Sequence, residues 1–291
     1  MRLSSPPDAA RSAGFAGIVL AAQRAGQVDP LAAEAGVTHK CLVPIGGAPL
    51  IVHVLAALQA TPGLERLRVV IEPETAALVK QMAPAGPVPI EYVTAADNLA
   101  DSVHAATKDL DQPTVVTTAD NVLLTAAAVG RILHAIGNGI DVTIAMASKE
   151  SVLAAHPDGQ RRYYRFRDGE YSNCNLYGFA GARAFAAAES FRSGGQFAKK
   201  PLRLLAAIGP INLLLLLTHR LALAAAMQRL VRRLGLRVAP VVLEDGAHAI
   251  DVDNRRTYDV ATQLLAERSA VNAKAHAASP HAHAYCSAPL L

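Results

Sequence analysis

The 291-residue chain has no tryptophan, only 4% aromatic residues and three cysteines. An all-β sandwich leans on aromatic and β-branched side chains, so a chain poor in rings and dominated by alanine and leucine points to a helix-rich α/β fold. Cys41, Cys174 and Cys286 form no CxxC pair and are odd in number, which suggests neither a disulfide framework nor a cysteine zinc site and fits a reducing cytoplasm. Charge of one sign is not in large excess either. The 28 basic and 24 acidic residues give a formal +4, and the basic ones are not gathered in one tail. That disfavours a dedicated nucleic-acid binder and suits small anionic substrates. The apolar stretch after Phe15 and the run LLAAIGPINLLLLLT between Arg203 and His219 both fall short of the roughly 20 residues a bilayer-spanning helix needs.

What is present is a globular composition, 52% hydrophobic, able to bury one substantial core. Residues 1–14 read as a flexible leader, 15–268 as the domain, and the His/Ala/Ser-rich 269–291 as a disordered tail in which His281 and His283 are solvated. Within the domain, strand patterns at 17–22, 67–72, 89–93, 115–118, 141–147 and 236–244 alternate with helix patterns at 49–60, 74–82, 100–109 and 126–136. Such alternation predicts a mostly parallel central sheet covered by helices on both faces. RRYYRFRDGEYSNCNLYGFAG adds a β-hairpin about Asp168-Gly169, and 199–237 reads as an apolar helical insert. In sheets of this kind ligands gather beyond the carboxyl ends of the strands, so the loop after Ala22 and the acid Asp120 should face one crevice.

Three stretches carry candidate chemistry. The long first loop, LAAQRAGQVDPLAAEAGVTHKCLVPIGGAPLI, contains Arg24, Gly26 and Lys40. Loop amides and a lysine suit a polyphosphate, although an ordinary surface loop can look the same. VVTTADNVLL runs a β-branched strand into Asp120. A carboxylate at such a place is either a turn or cap acid, or one paired with a cation. AIDVDN sets Asp251 and Asp253 two apart, on the same side of an extended segment. They read either as a cap for the next helix or as oxygen donors of the kind Mg²⁺ takes when it sits on substrate phosphates.

Taken in order, GIVLAAQRAG, HKCLVPIGGAPLIVHVLAAL, NLADSVHAA, TTADNVLLT and IDVDNRRTYDVA resemble the MobA-like nucleotidyltransferase superfamily, over most of residues 15–268. The resemblance implies a Rossmann-like three-layer sandwich with a glycosyltransferase-A-like fold. It implies Lys40 on the nucleotide's phosphates, and Asp120 with Asp253 as the acids that bind Mg²⁺, Asp251 being a less certain neighbour. Leu20, Ala21, Ala22, Gln23, Arg24 and Gly26 would border the nucleotide, with Asn98, Asp101 and Ser102 near the base or ribose. Asn173 and Asn175 fall where the family contacts the acceptor. The chemistry implied is attack of a phosphorylated or similarly anionic acceptor on the α-phosphorus of an NTP, with CTP slightly ahead by analogy and pyrophosphate leaving.

The chain departs from the family in its first loop, where Gln23 and Ala25 stand at positions usually held by glycine. Glycine allows close backbone approach and positive φ, and glutamine does not. Two other readings therefore accompany the first: a non-catalytic nucleotide-binding protein on the same fold, and a nucleotide-sugar-dependent glycosyltransferase. The latter usually shows an acid pair after the central strand, whereas here only the late Asp251-Val252-Asp253 has that spacing. The insert 199–237, rimmed by Lys199, Lys200, Arg203, Arg220, Arg229, Arg232, Arg233 and Arg237, reads first as core or a homodimer contact. Its alternative is a surface dipping into an anionic membrane, which would place the protein in the cytoplasm against the inner membrane face.

Overall fold

The protein is described by a computed structural model covering residues 14–23, 28–191, 215, 218–230 and 234–277. Residues 1–13 of the leader, Arg24 and Gly26, nearly all of the apolar run at 204–217, and the end of the tail with its two histidines lie outside the described residues. The first strand, β1 (Phe15–Leu20), explains the sandwich by its alternation: Phe15 and Val19 enter one buried cluster, Ala16 and Ile18 the other. Side chains on a strand alternate between faces, so a strand buried on both sides must lie at the centre of a covered sheet. Its neighbours are β4 (Leu64–Ile71) on one side and β6 (Thr114–Thr118) on the other, both parallel to it. Beyond β4 lies β5 (Ile90–Thr94), also parallel.

Helices cover both faces, as the alternation predicts. One face is packed by α2 (Leu50–Gln59), α3 (Pro73–Met82), α5 (Ala126–Gly137) and the final helix α8 (Arg255–Ala277). The other is packed by α4 (Leu99–Thr107), α7 (Leu223–Leu230) and a 3₁₀ segment, Ala182–Phe191. The remaining helices are α1 (Pro30–Glu34) and α6 (Lys149–Ala155). Helix starts follow local chemistry. The Asp29 carboxylate accepts from Leu31 N, Asn98 Oδ1 from Asp101 N, Thr125 Oγ1 from Ala128 N and Ser148 Oγ from Ser151 N. Each satisfies an amide that the helix leaves unpaired.

The sheet order is β10-β7-β9-β6-β1-β4-β5, with β7 (Val142–Ser148) and β10 (Val238–Leu243) completing one side. The hairpin predicted at Asp168 exists as β8 (Tyr164–Phe166) and β9 (Gly169–Phe179). Its long arm does more than the sequence reading anticipates. β9 is inserted antiparallel between β6 and β7, burying Ser172, Cys174, Leu176 and Gly178. Two tiny strands, β2 (Pro44–Ile45) and β3 (Ala48–Pro49), form a separate ribbon.

Two expectations need correction. The stretch after Gln23 is not loop throughout, because Asp29 and Pro30 start α1, where a cap acid followed by proline at the first helical position favours a turn of helix. The tail expected from Ser269 is helical to Ala277, since alanine-rich sequence extends a helix already docked on the core. Among the described residues no helix is long and apolar enough to cross a membrane.

The segment leading to Asp251 is fixed by close packing. A 3₁₀ turn, Gly246–Ala249, is capped by the Asp245 carboxylate on Ala247 N, and Arg268 of α8 clamps both Asp245 and the carbonyl of Leu123. Gly246 lies so near α6 that a Cβ there would be 2.2 Å from the backbone of Ser151 and Val152. Backbone cannot yield as a side-chain tip can. Gly246→Ala should therefore destabilise the fold by about 1–3 kcal/mol or more. Urea melts of the purified variant check this, and an unchanged midpoint would contradict the packing.

Candidate active site

The carboxyl ends of β1, β4, β5 and β6 share one edge of the sheet. Ala119 N bonds the carbonyl of Leu20, so the chain leaving β6 stays tied to the end of β1 before it reaches Asp120. A 3₁₀ turn, Lys40–Leu42, brings the lysine to the same place. The ammonium of Lys40 donates to Asp120 Oδ2 at 2.5 Å and to Asp253 Oδ1 at 2.8 Å. The question raised by an acid at the mouth of an apolar sheet is thus answered by a paired cation, from a residue 80 positions away in sequence.

Each partner is held. Thr118 Oγ1 donates to Asp120 Oδ1 at 2.5 Å, and the Asp120 carbonyl accepts from Val252 N at 3.1 Å, which docks the late segment directly onto the end of β6. Asp253 N and Asn254 N both donate to Thr257 Oγ1, so the first turn of α8 fixes the second acid. Burial works against the charge on Lys40, but Asp120 and Asp253 outweigh it and raise its pKa above the ordinary lysine value. The ammonium is therefore permanent. Asp120 is largely covered, with 17% of its side chain exposed, whereas Asp253 is 64% exposed and open to solvent.

Asp251 does not point the same way as Asp253. Asp253 N bonds the carbonyl of Asp251, a tight turn that breaks the extended geometry and turns Asp251 inward. Its Oδ2 accepts from Asn175 Nδ2 at 2.6 Å, and its Oδ1 is buried without a partner. Burial first, then the nearby charges of Asp120 and Asp253, push its pKa well above the ordinary aspartate range, with Lys40 opposing. Asn175 itself has φ 46°, a left-handed conformation that asparagine tolerates better than most residues. Asn173 donates to Asn175 Oδ1 and to the Tyr177 hydroxyl. The two asparagines expected at the acceptor are thereby linked through Asp251 to the acid cluster.

The other nucleotide-binding candidates are occupied structurally. Asn98 and Asp101 cap α4, with Asn98 Nδ2 donating to Asp101 Oδ2 at 2.5 Å, and Ser102 is buried with its hydroxyl accepting from Ala96 N. They stand at the end of β5, with β4 between that strand and β1. The hydrogen bonds of Asn98 and Ser102 stay within the β5–α4 turn. In the first loop, Ala21 N is spent on Val70 O, Ala22 is exposed, and Gln23 N donates to Glu72 Oε1 at 2.8 Å.

Sequence reasoning missed four supporting groups. Glu72 terminates β4 as Asp120 terminates β6, and that shared signal, an acid closing an apolar strand, could have found it. It holds Gln23 N, and its other oxygen lies 3.6 Å from His39 Nε2, the residue before Lys40. Thr75 Oγ1 contacts the same ring. Asn121, buried beside Asp120, donates to Thr117 Oγ1 and to the carbonyl of Cys174, tying β6 to β9. His39, Thr75 and Asn121 have ordinary propensities, and only tertiary packing reveals them.

The donor set fits a magnesium-type ion. Two carboxylate oxygens from separate elements already converge on one cation, and Asp251 Oδ1 beside them is an unpartnered buried acceptor. Among the described residues no group of three or more His, Cys, Asp or Glu side chains forms a closed metal cage. Mg²⁺ needs none, since it retains waters and shares one or two carboxylates with substrate phosphates.

Comparison with known proteins places this geometry. The profile of the MobA-like NTP transferase domain matches residues 17–238. A hypothetical transferase from Thermus thermophilus is 28% identical, with a TM-score of 0.68 covering 84% of this chain and 99% of that one. The 4-diphosphocytidyl-2C-methyl-D-erythritol synthase of Anaerococcus prevotii is 12% identical with a TM-score of 0.57, over 88% of this chain and 97% of that one. A CMP:2-keto-3-deoxy-manno-octonic acid synthetase in complex with CTP, also 12% identical, superposes with a TM-score of 0.56 over 88% of this chain and 100% of that one. At that identity these last two share the fold. No curated protein matches the chain.

A pH-dependent consequence follows from Asp251. Its folded pKa is raised, so between the unfolded value and the folded one the native state holds the extra proton and stability falls as pH rises. Asp251→Asn keeps the amide-to-oxygen bond with Asn175 and removes the titration. In metal-free buffer the variant should be more stable than wild type at pH 7, with the gain vanishing below the ordinary aspartate pKa. Thermal melts across that range check the sign, and a destabilised variant at pH 7 would contradict it.

Proposed function

The chain belongs to the MobA-like NTP transferase family and is a nucleotidyltransferase, and from that premise we propose that it transfers CMP from CTP to a phosphorylated or otherwise anionic acceptor. The observation that carries the reading is the meeting of Lys40, Asp120 and Asp253 at the carboxyl edge of the sheet. Cytidine is favoured because the fold is shared with a diphosphocytidyl synthase and with a synthetase complexed with CTP. A formal charge of +4 suits two anionic substrates.

In the proposed reaction an acceptor oxygen, already ionised at neutral pH, attacks the α-phosphorus. The new P–O bond forms as the bond to the β-phosphate bridging oxygen breaks, and that oxygen leaves with the electron pair as pyrophosphate. No side-chain nucleophile is needed, so the protein's work is placement and charge stabilisation. Lys40, fully protonated, lies against the phosphates and offsets the charge that develops on them. Asp120 and Asp253 would hold Mg²⁺, which supplies Lewis-acid charge neutralisation on the triphosphate. Thr118 and Asn121 keep Asp120 on its side of the crevice, and Thr257 keeps Asp253 on the other. Asn173 and Asn175 face the acceptor, steadied by Asp251. Leu20, Ala21, Ala22 and Gln23 border the nucleotide from β1, and Asn98, Asp101 and Ser102 from β5.

The test is a pyrophosphate-release screen of the four NTPs against phosphorylated sugars, alcohols and lipids. CTP should give the highest rate, and release independent of every acceptor would contradict the transfer. Asp120→Asn, nearly isosteric and placed where the sheet is otherwise intact, should lose about 10²- to 10³-fold in turnover, the scale of removing one preorganised electrostatic contact. Its circular dichroism should match wild type. Near-wild-type turnover would refute the role of Asp120.

A further inference from the structure

The contact that organises the site is also one that a divalent ion must displace. Lys40 Nζ occupies the point on which Asp120 Oδ2 and Asp253 Oδ1 both aim, and two cations cannot share it, because like charges at such range repel strongly. We propose that Lys40 is a resident counter-ion: it holds the two acids together in the nucleotide-free protein and leaves them only when triphosphate oxygens replace them, so the metal enters with the nucleotide and not ahead of it. This rests on the reading of Asp120 and Asp253 as metal acids.

The geometry supports an exchange made by side chains. Asp120 is pinned by Thr118 Oγ1 and by Val252 N on its carbonyl, and the turn carrying Lys40 is fixed by Leu42 N and Val43 N bonding back to His39 and Lys40. The backbone around the site is therefore already set. What remains free to move is the four-carbon stem of Lys40, whose compact ammonium carries three rotatable donors. Asp253, exposed on the rim, can accommodate a change of partner without entering the core. Without nucleotide, Lys40 already neutralises much of the acids' charge, and a free ion gains little by competing. With nucleotide, Lys40 exchanges two carboxylate oxygens for phosphate oxygens, and the acids become available.

Calorimetric titration of Mn²⁺ and Mg²⁺ into wild type, Lys40→Met and Lys40→Gln tests this without turnover. Each protein is titrated alone and with a methylene-bridged CTP analogue that cannot release pyrophosphate. The glutamine variant retains hydrogen-bond donors should methionine impair folding. Wild type alone should bind the ions weakly and gain strongly with the analogue. The folded lysine variants alone should bind about tenfold tighter than wild type, the factor produced by ~1.4 kcal/mol of relieved repulsion. If they bind no better, while wild type takes up metal with the analogue and Asp120→Asn does not, the counter-ion role is overturned and the metal acids stand. If wild type takes up no metal even with the analogue, both readings fall.

Discussion

One ammonium between two carboxylates sets the rest of this structure in order. Lys40, Asp120 and Asp253 come from an early turn, the end of a central strand and the start of the last helix. Bringing two acids to the mouth of an apolar sheet is unfavourable unless a cation meets them, and here the chain provides its own. The surrounding contacts serve that meeting: Val252 N on the Asp120 carbonyl, Thr118 on its carboxylate, Thr257 beneath Asp253, and Arg268 clamping the returning segment to Leu123. Gly246 permits the approach against α6 without which that segment could not reach the edge.

Much of this was legible from the sequence because it depends on local signals. Alternating strand and helix patterns predict the sandwich, cap residues mark helix starts, and an acid ending the VVTT strand marks the crevice. Lys40 and Asp253 stand out as a loop lysine and one of a spaced acid pair, but neither position is unusual alone, and only the ordered resemblance joins them to Asp120 in one site. What was not legible depends on pairing between distant segments. β9 reads as half of a hairpin, yet its burial comes from β6 and β7, which sequence periodicity does not name. Period-2 alternation sets Asp251 parallel to Asp253 only in an extended chain, and one short turn at Val252 overrules it. The helix past Ser269 is a matter of propensity extending a docked element, masked by low-complexity composition.

The first loop shows how the chain manages without family glycines. Where a glycine would let bare backbone approach phosphates, Gln23 N is instead held by Glu72, and Glu72 in turn stands beside His39, next to Lys40. The loop's entry and the lysine turn are thereby linked through the end of β4. A carboxylate in this role adds negative potential close to the proposed phosphate path, so the positive charge of Lys40 matters more here than it would above a glycine cradle. The departure thus lies along the proposed phosphate path, and the pairing of Lys40 with Asp120 and Asp253 is kept.

The buried acid Asp251 connects the two halves of the proposed reaction. Asn175, held in a left-handed conformation, gives its amide to Asp251, and Asp251 lies close enough to Asp120 and Asp253 for their charges to act on it. Its carboxyl group therefore lies between the acid cluster and the asparagine pair proposed to meet the acceptor, and fixes that pair. The amide of Val252 on the Asp120 carbonyl and the amide of Asn175 on Asp251 thus tie the acid cluster and the asparagine pair to one short segment.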